Sequence, residues 1–242
     1  MSFPGAIPPP AIVSKPHGFR SIYTKEDASS DLFTMRKLAL SFLLAATAAL
    51  AQYKLESAGA APSELAPEVT ALLQKDGHRI VAPNGSVFCE VWLRTALPSG
   101  PKTTEEGVSL ATTPHGTLMG AIRFPKNATD RRGLGVKPGL YTLRFGIHPV
   151  DGSHQGIAPQ RDFLILSLAA EDKDPNATPA FEKLMEMSRK ASGIAHPLAL
   201  SMGTASGDKF PEFSKEGEGD WVLKAQIGEL KIFVILVGTF QG

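Results

Sequence analysis

One loop of this sequence carries residues that could bind a metal or carry out acid–base chemistry. His148 closes a predicted strand, and the loop after it holds Asp151, His154, Arg161 and Asp162. If the flanking strands pair, His148 and Asp162 come close together at the base of the loop, and His154 can fold back toward them. Neutral imidazole and carboxylate groups bind divalent metals and exchange protons near neutral pH. The sequence therefore predicts a ligand or metal site here, and a solvated loop is the alternative.

A second loop is basic. Between residues 123 and 137 a single acid, Asp130, stands against five cations. Such a loop can dock acidic glycans or anionic groups of a cell envelope. An ordinary solvated hairpin loop is the alternative. The candidate anion-binding residues are Arg123, Lys126, Arg131, Arg132 and Lys137.

A third segment has the alternating oxygen ligands with which a calcium-binding loop begins. These residues are Asp172, Asp174 and Asn176. Ala177 stands where an EF-hand needs glycine, and Lys183 stands where it needs glutamate, so an EF-hand is excluded. A looser calcium site is one interpretation. The other is a solvated loop whose carboxylates favour the positive end of the next helix.

Several classes of chemistry are excluded or unsupported. The Gly-x-Ser-x-Gly turn of an α/β-hydrolase is absent from the sequence. The single cysteine, Cys89, excludes an intrachain disulfide framework and a cysteine-rich zinc site, and the residues after it lack the ligands of a copper site. A net charge of +1 gives no electrostatic reason to bind nucleic acid. No cofactor follows from the residues.

The elements that would position these residues are mostly strands. Alternating or wholly apolar runs bounded by glycine and proline predict about eight strands and a single, mainly β sandwich. Trp92 and Trp221 lie in strands and are interpreted as core residues, with an exposed aromatic platform for sugar rings as the alternative. A short helix is predicted over residues 67–75. A longer docked helix is predicted after a Thr178 cap, ending at Gly193. The clearest strands cover residues 87–94, 117–124, 140–148, 163–168, 196–202, 221–227 and 230–237.

The first fifty residues indicate that the chain is exported, and they are not expected to belong to the folded domain. Residues 35–51 combine the basic pair Arg36-Lys37, an apolar stretch and a small-residue site at Ala49 and Ala51, which is the pattern of a secretory signal peptide. Residues 1–34 are rich in proline and are expected to be a disordered extension. Met35 is the expected natural start, and a long n-region of the signal peptide is the alternative. Cleavage near Ala51 would place the chain in a periplasm or outside the cell. The remaining segments are an arm with the short helix, 52–77, and the β-sandwich domain, 78–242.

The sequence contains no motif that identifies an enzyme. The predicted function is that of an exported, non-catalytic binding or envelope-associated module, with a glycan or envelope component as its partner and no membrane span after cleavage. The first alternative is a secreted hydrolase-like or metal-dependent enzyme that uses the loop between His148 and Asp162. The second alternative is a structural partner in an exported assembly. The residues identify neither the ligand nor the oligomeric state.

Overall fold

The computed structural model describes residues 52–150 and 161–239, all of which belong to one compact unit. The predicted extension 1–34 and the predicted signal peptide 35–51 lie outside the described residues. In the described ranges, no helix is long and apolar enough to cross a membrane. The strands of these ranges are β1 (Lys54–Gly59), β2 (Gly77–Val81), β3 (Val87–Leu93), β4 (Leu118–Phe124), β5 (Ala128–Thr129), β6 (Gly135–Val136), β7 (Gly139–Ile147), β8 (Asp162–Leu168), β9 (Ala199–Thr204), β10 (Glu212–Glu216), β11 (Asp220–Ile227) and β12 (Leu230–Val237).

Ten strands form one continuous sheet. Their order is β1-β2-β3-β4-β7-β8-β9-β12-β11-β10, and all neighbours are antiparallel. The sheet is nearly closed into a barrel. β5 and β6 form a separate hairpin between β4 and β7. Most neighbours in the sheet follow one another along the chain, but short turns join only β2 to β3, β10 to β11 and β11 to β12.

The barrel interior is the main hydrophobic core. Alternate residues of each strand point into it, as the period of two requires. Val136 of the β5–β6 hairpin is also buried in this cluster, so the hairpin is anchored to the core. The fully buried interior side chains include Ile80, Cys89, Leu93, Met119, Ile122, Phe145, Leu164, Leu223 and Ile232.

An aromatic cluster lies where the two edge strands, β1 and β10, approach each other. Tyr53 precedes β1, and its ring centroid lies 5.0 Å from that of Trp221 and 5.9 Å from that of Phe213. Phe213 and Trp221 stack at 5.6 Å. These rings join the two ends of the sheet by side-chain packing, where ladder hydrogen bonds join the other strands.

The mainly β class predicted from the sequence is confirmed, whereas the sandwich of about eight strands is not. The strands that the sequence did not reveal are the two edges, β1 and β10, the short β5 and β6, and β2 beside the edge strand β1. The edge strands are largely exposed and carry few apolar residues, so the hydrophobic alternation that marks a strand is missing from them. Alternation also shows which face is buried without showing what covers it.

Both predicted helices are present, with different bounds. α1 (Pro67–Thr70) begins with proline as expected and is shorter than predicted. α2 (Phe181–Ser192) ends at Gly193, whose φ of 73° fits the predicted glycine stop. Its N-cap is Ala180 without a side-chain hydrogen bond, so the predicted Thr178 cap is wrong.

Two further clusters cover the outer face of the sheet. The α2 side chains Leu184 and Met185 pack on Phe163 and Ile165 of β8 and on Ala199. The segment around α1 packs on Trp92, with Leu65, Val69 and Leu73 buried against Leu118 and Ala121. These layers explain why central strands such as β8 are apolar on both faces.

The two tryptophans are expected to respond differently to acrylamide. Trp92 is 2% exposed and its indole N–H donates to the Gly59 carbonyl oxygen at 2.9 Å, whereas Trp221 is half-buried. In a Trp221→Phe variant we expect blue-shifted emission that acrylamide barely quenches. The Trp92→Phe variant, in which Trp221 remains, should be quenched more strongly. Equal quenching of the two single-tryptophan variants would contradict the burial of Trp92.

Candidate functional site

The loop that resembled a calcium site is organised around a buried arginine. Arg144 of β7 is 0% exposed, and its Nε and Nη2 donate to the two carboxylate oxygens of Asp172, each at 2.7 Å. Nη2 also donates to the carbonyl oxygen of Asp174, and Nη1 donates to those of Ala177 and Gly116, at 2.6–2.7 Å. All five N–H groups of the guanidinium are therefore satisfied.

The predicted calcium ligands have other partners in this loop. The Asp172 carboxylate is 5% exposed and also accepts a hydrogen bond from the Thr142 hydroxyl at 2.5 Å. The Asp174 side chain is exposed and accepts the backbone N–H of Asn176. The positive charge at the centre of the loop is thus a guanidinium. Among residues 52–150 and 161–239, no three His, Cys, Asp or Glu side chains are grouped as a metal site.

Strands β7 and β8 pair, which was the condition for the predicted site, and bring the ends of the His148–Asp162 loop together. Ile147 lies opposite Asp162, and the His148 N–H donates to the Arg161 carbonyl oxygen at 2.8 Å. Successive residues of a strand alternate faces, so the side chains of His148 and Asp162 lie on opposite faces of the sheet. The structure therefore joins the two backbones and separates the two side chains.

Each of these side chains has a different environment. The Asp162 carboxylate is fully buried and accepts the backbone N–H groups of Ser109 and Leu110 at 2.8 and 2.9 Å. The His148 ring stacks on Phe163 at 4.0 Å. Asp162 thereby fixes the loop before β4. Asp151 and His154, the other two residues of this predicted site, lie outside the described residues.

Arg161 also holds loops in place. Its guanidinium donates to the carbonyl oxygens of His148 and Glu106 and to the carboxylate of Glu105, at 2.6–2.9 Å. Two backbone segments, the end of β7 and residues 105–106, are therefore held together by the arginine. The sequence analysis expected His148 and Asp162 at the base of the loop, and the structure adds a contact of Arg161 with the His148 backbone.

The basic loop corresponds to the β5–β6 hairpin and its flanks, and three of its cations pair with carboxylates. Arg123 donates to Glu64 at 2.7 Å. Arg131 donates to both carboxylate oxygens of Asp220 at 3.1 Å. Arg132 donates through Nε and Nη2 to the carboxylate of the buried Asp130. Lys126 and Lys137 are exposed and form no ion pair with a residue that the structure describes. The field of this loop is thus weaker than its composition suggests.

Two groups that the sequence analysis treated separately meet in one small depression. Arg131 and Arg132 reach it from the hairpin, and His148, Phe163 and Ser201 reach it from the residue after β7, from β8 and from β9. Its volume of about 10 Å³ is roughly that needed for one water molecule. The depression therefore cannot enclose a ligand in the described geometry.

A larger cleft lies at one end of the barrel, with a volume of about 300 Å³. It is bounded by the start of β2, the segment after β3, the segment before β10 and the end of β11, which the antiparallel order places at the same end. Among residues 52–150 and 161–239, none of those that line it is charged. The lining residues are Gln74, His78, Thr95, Phe210, Pro211, Gln226 and Gly228.

Gln74 closes one side of this cleft. Its Nε2 donates to the carbonyl oxygen of Gln226 at 2.7 Å and to that of Arg94 at 3.2 Å, so it bridges β11 and the segment after β3. Its side-chain oxygen remains an acceptor. Phe210 and Pro211 supply the apolar part of the lining. The ammonium of Lys231 lies 5.1 Å from the Phe210 ring centroid and donates to Gly207, which holds this loop against β12.

His78 supplies the titratable group of the cleft lining. It lies opposite Val91 in the β2–β3 ladder, on the face that points into the barrel. Burial lowers the pKa of His78 below its ordinary value, and the nearby Asp76 carboxylate opposes this only in part. The imidazole is therefore neutral at pH 7 and offers one donor and one acceptor.

Sequence reasoning missed this cleft and the role of Arg144. The cleft residues come from four separate segments, and each is unremarkable in its own segment. Arg144 left one signal, a charged residue between apolar neighbours in the middle of a strand. Comparisons of the chain with protein-family models, curated proteins and solved structures found no match.

Proposed function

We propose that this chain is an exported, non-catalytic binding module that holds a neutral sugar unit in the cleft at the end of the barrel. The observation that carries the proposal is the lining of that cleft, which combines an aromatic ring with uncharged hydrogen-bonding groups. Its volume falls at the lower end of the range for small-molecule sites. Export is supported by the signal-peptide pattern of residues 35–51.

A sugar ring suits such a lining for a chemical reason. One face of a pyranose exposes C–H groups, which pack on an aromatic ring such as Phe210, and its edge carries hydroxyl groups. Those hydroxyls both donate and accept, and the neutral imidazole of His78 does the same. The Gln74 side-chain oxygen and the Thr95 hydroxyl add acceptors. An anionic ligand would find no cation in this lining, so a neutral sugar fits better.

The cleft is also suited to binding more than to catalysis. Acid–base or covalent chemistry on a sugar generally needs a pair of carboxylates or a nucleophile beside a base. The lining contains neither. Asp76 lies near His78, but its carboxylate accepts from the Ser57 hydroxyl at 2.6 Å and from the Gly59 N–H at 2.8 Å.

Saturation-transfer NMR and calorimetry with neutral monosaccharides test this function. The probes are glucose, galactose, mannose and N-acetylglucosamine, and we expect at least one of them to bind with a Kd of about 1 mM. Phe210→Ala removes the ring face and should weaken binding about tenfold, equivalent to about 1.4 kcal/mol. His78→Ala should do the same, whereas the exposed His196→Ala should bind like the wild type. No saturation transfer to any of these sugars would refute the proposal.

The pH dependence gives a second readout in the same experiment. Because the pKa of His78 is lowered in the folded state, binding should be constant above pH 7 and weaken as pH falls well below about 6.5, where the imidazole gains a charge. Folding stability should fall in the same direction, since the unfolded chain takes up this proton first. The binding part of this dependence should disappear in His78→Gln.

A further inference from the structure

One wall of the cleft at the end of the barrel is built by two short segments that pair with each other. The Gln74 N–H donates to the Leu93 carbonyl oxygen at 2.8 Å, and the Thr95 N–H donates to that of Leu72 at 2.9 Å. In such an antiparallel pair, diagonal positions like 74 and 95 lie on the same face, about 7–8 Å apart. Gln74 and Thr95 both line the cleft, and together they form this wall.

The side-chain amide of Gln74 can only accept a further hydrogen bond. Its Nε2 carries two hydrogens, and the carbonyl oxygens of Arg94 and Gln226 take both, at 3.2 and 2.7 Å. These contacts fix the orientation of the amide, because Oε1 in the place of Nε2 would lie against two carbonyl oxygens. In the described ranges no residue donates to Oε1, which is not closed off from solvent.

The Thr95 hydroxyl has the same character. It donates to the Leu72 carbonyl oxygen at 3.2 Å, which engages its hydrogen and leaves the lone pairs of its oxygen. Thr95 is exposed, so a ligand in the cleft can contact this oxygen. The Gln74–Thr95 wall therefore presents two acceptors and no side-chain donor.

The rest of the polar lining differs from this wall. The neutral imidazole of His78 carries one N–H, so a hydroxyl beside it can accept a hydrogen bond. Ala225 and Ile227 point into the barrel interior, and the Gln226 side chain between them points to the outer face of β11. Donation by the ligand is thus required at one wall and not at the other.

We infer that the Gln74–Thr95 wall selects sugars by hydroxyl groups that donate, and that the ligand carries two such free hydroxyls. This inference rests on the proposed sugar-binding function. An ether oxygen, an ester or a fluorine cannot donate, so any of them at either position leaves an acceptor of the wall without a partner. The ligand class is therefore a free monosaccharide, or a chain end whose hydroxyls at these positions carry no linkage.

Deoxy and deoxyfluoro analogues of the monosaccharide that binds best provide the test. Fluorine is close to a hydroxyl in size and accepts weakly, but it has no hydrogen to donate. Binding of each analogue to the full chain is measured by calorimetry and by competition in saturation-transfer NMR. At two ring positions we expect both analogues to bind about tenfold more weakly than the parent sugar. These measurements on the wild type do not depend on the folding of any variant.

A pair of Thr95 variants assigns one of the two ring positions. Valine has nearly the shape of threonine without its hydroxyl, so Thr95→Val should bind the parent sugar and the deoxy analogue at that position equally well. Thr95→Ser keeps the acceptor and should discriminate between them as the wild type does. The preference at the second position, which faces Gln74, should persist in both variants.

Two results would overturn the inference and leave the sugar-binding function in place. One is a parent sugar whose deoxyfluoro analogues all bind as tightly as the parent itself. The other is a Thr95→Val variant that discriminates against every deoxy analogue as strongly as the wild type. Absence of binding by all the monosaccharides refutes the proposed function and this inference with it.

Discussion

The Asp172→Ala variant is expected to lose about 3–5 kcal/mol of unfolding free energy. Asp172 is 5% exposed and Arg144 is 0% exposed, so the substitution leaves a guanidinium buried without its counterion. The substitution also removes acceptors from two guanidinium nitrogens and from the Thr142 hydroxyl. Urea unfolding followed by circular dichroism measures the loss.

Asp174→Ala is the matched control for this variant. Its carboxylate is exposed and accepts only the Asn176 N–H among the described contacts, while Arg144 binds its backbone carbonyl, which alanine retains. We expect a loss of about 0.5–1 kcal/mol. A double variant, Asp172→Ala with Arg144→Met, should recover part of the loss, since no unpaired charge remains. A loss below about 1 kcal/mol in Asp172→Ala, typical of exposed ion pairs, would show that solvent reaches the pair.

Gly116→Ala is expected to cost about 2–5 kcal/mol of stability, for two independent reasons. Gly116 has a φ of +80°, where an L-residue is strained. An added Cβ would also lie 2.7 Å from the carbonyl oxygen and 2.8 Å from the nitrogen of Pro179, both backbone atoms that cannot turn aside. Any shift moves the Gly116 carbonyl oxygen away from Arg144, which it contacts at 2.7 Å.

Gly133→Ala separates the two causes. Gly133 has a similar φ of +84°, but nothing lies within 4 Å of its added Cβ. The variant should therefore show only the strain, about 1–2 kcal/mol. The difference between the two variants, measured by thermal unfolding, reports the close approach to Pro179. Equal losses for Gly116→Ala and Gly133→Ala would contradict that approach in solution.

The candidate sites show which features could not be predicted from the sequence. The pairing of β7 with β8 was predictable, because two apolar runs flank a loop, and with it the approach of His148 to the start of the next strand. The register decides which face each side chain takes, and a shift of one residue reverses it. Register was not readable from the loop, so the separation of the His148 and Asp162 side chains was not foreseeable.

The predictions for the charged loops were incomplete for a related reason. Composition counted the five cations of the basic loop correctly, but it could not show that Glu64, Asp130 and Asp220 neutralise three of them. Of these partners, Glu64 and Asp220 come from distant parts of the chain. In the same manner, the calcium-like spacing of Asp172 and Asp174 is real, and only the fold reveals that Arg144 occupies their centre.

The sequence by itself determined the mainly β class, the central strands, both helices and the burial of Cys89, because hydrophobic periodicity and glycine or proline signals are local. Only the tertiary structure decided that the strands form one nearly closed sheet, because closure depends on edge strands that lack such periodicity. The same holds for the cleft and for the contacts of the buried Arg144. Each is assembled from segments far apart in the chain, and long-range packing leaves no pattern in any one of them.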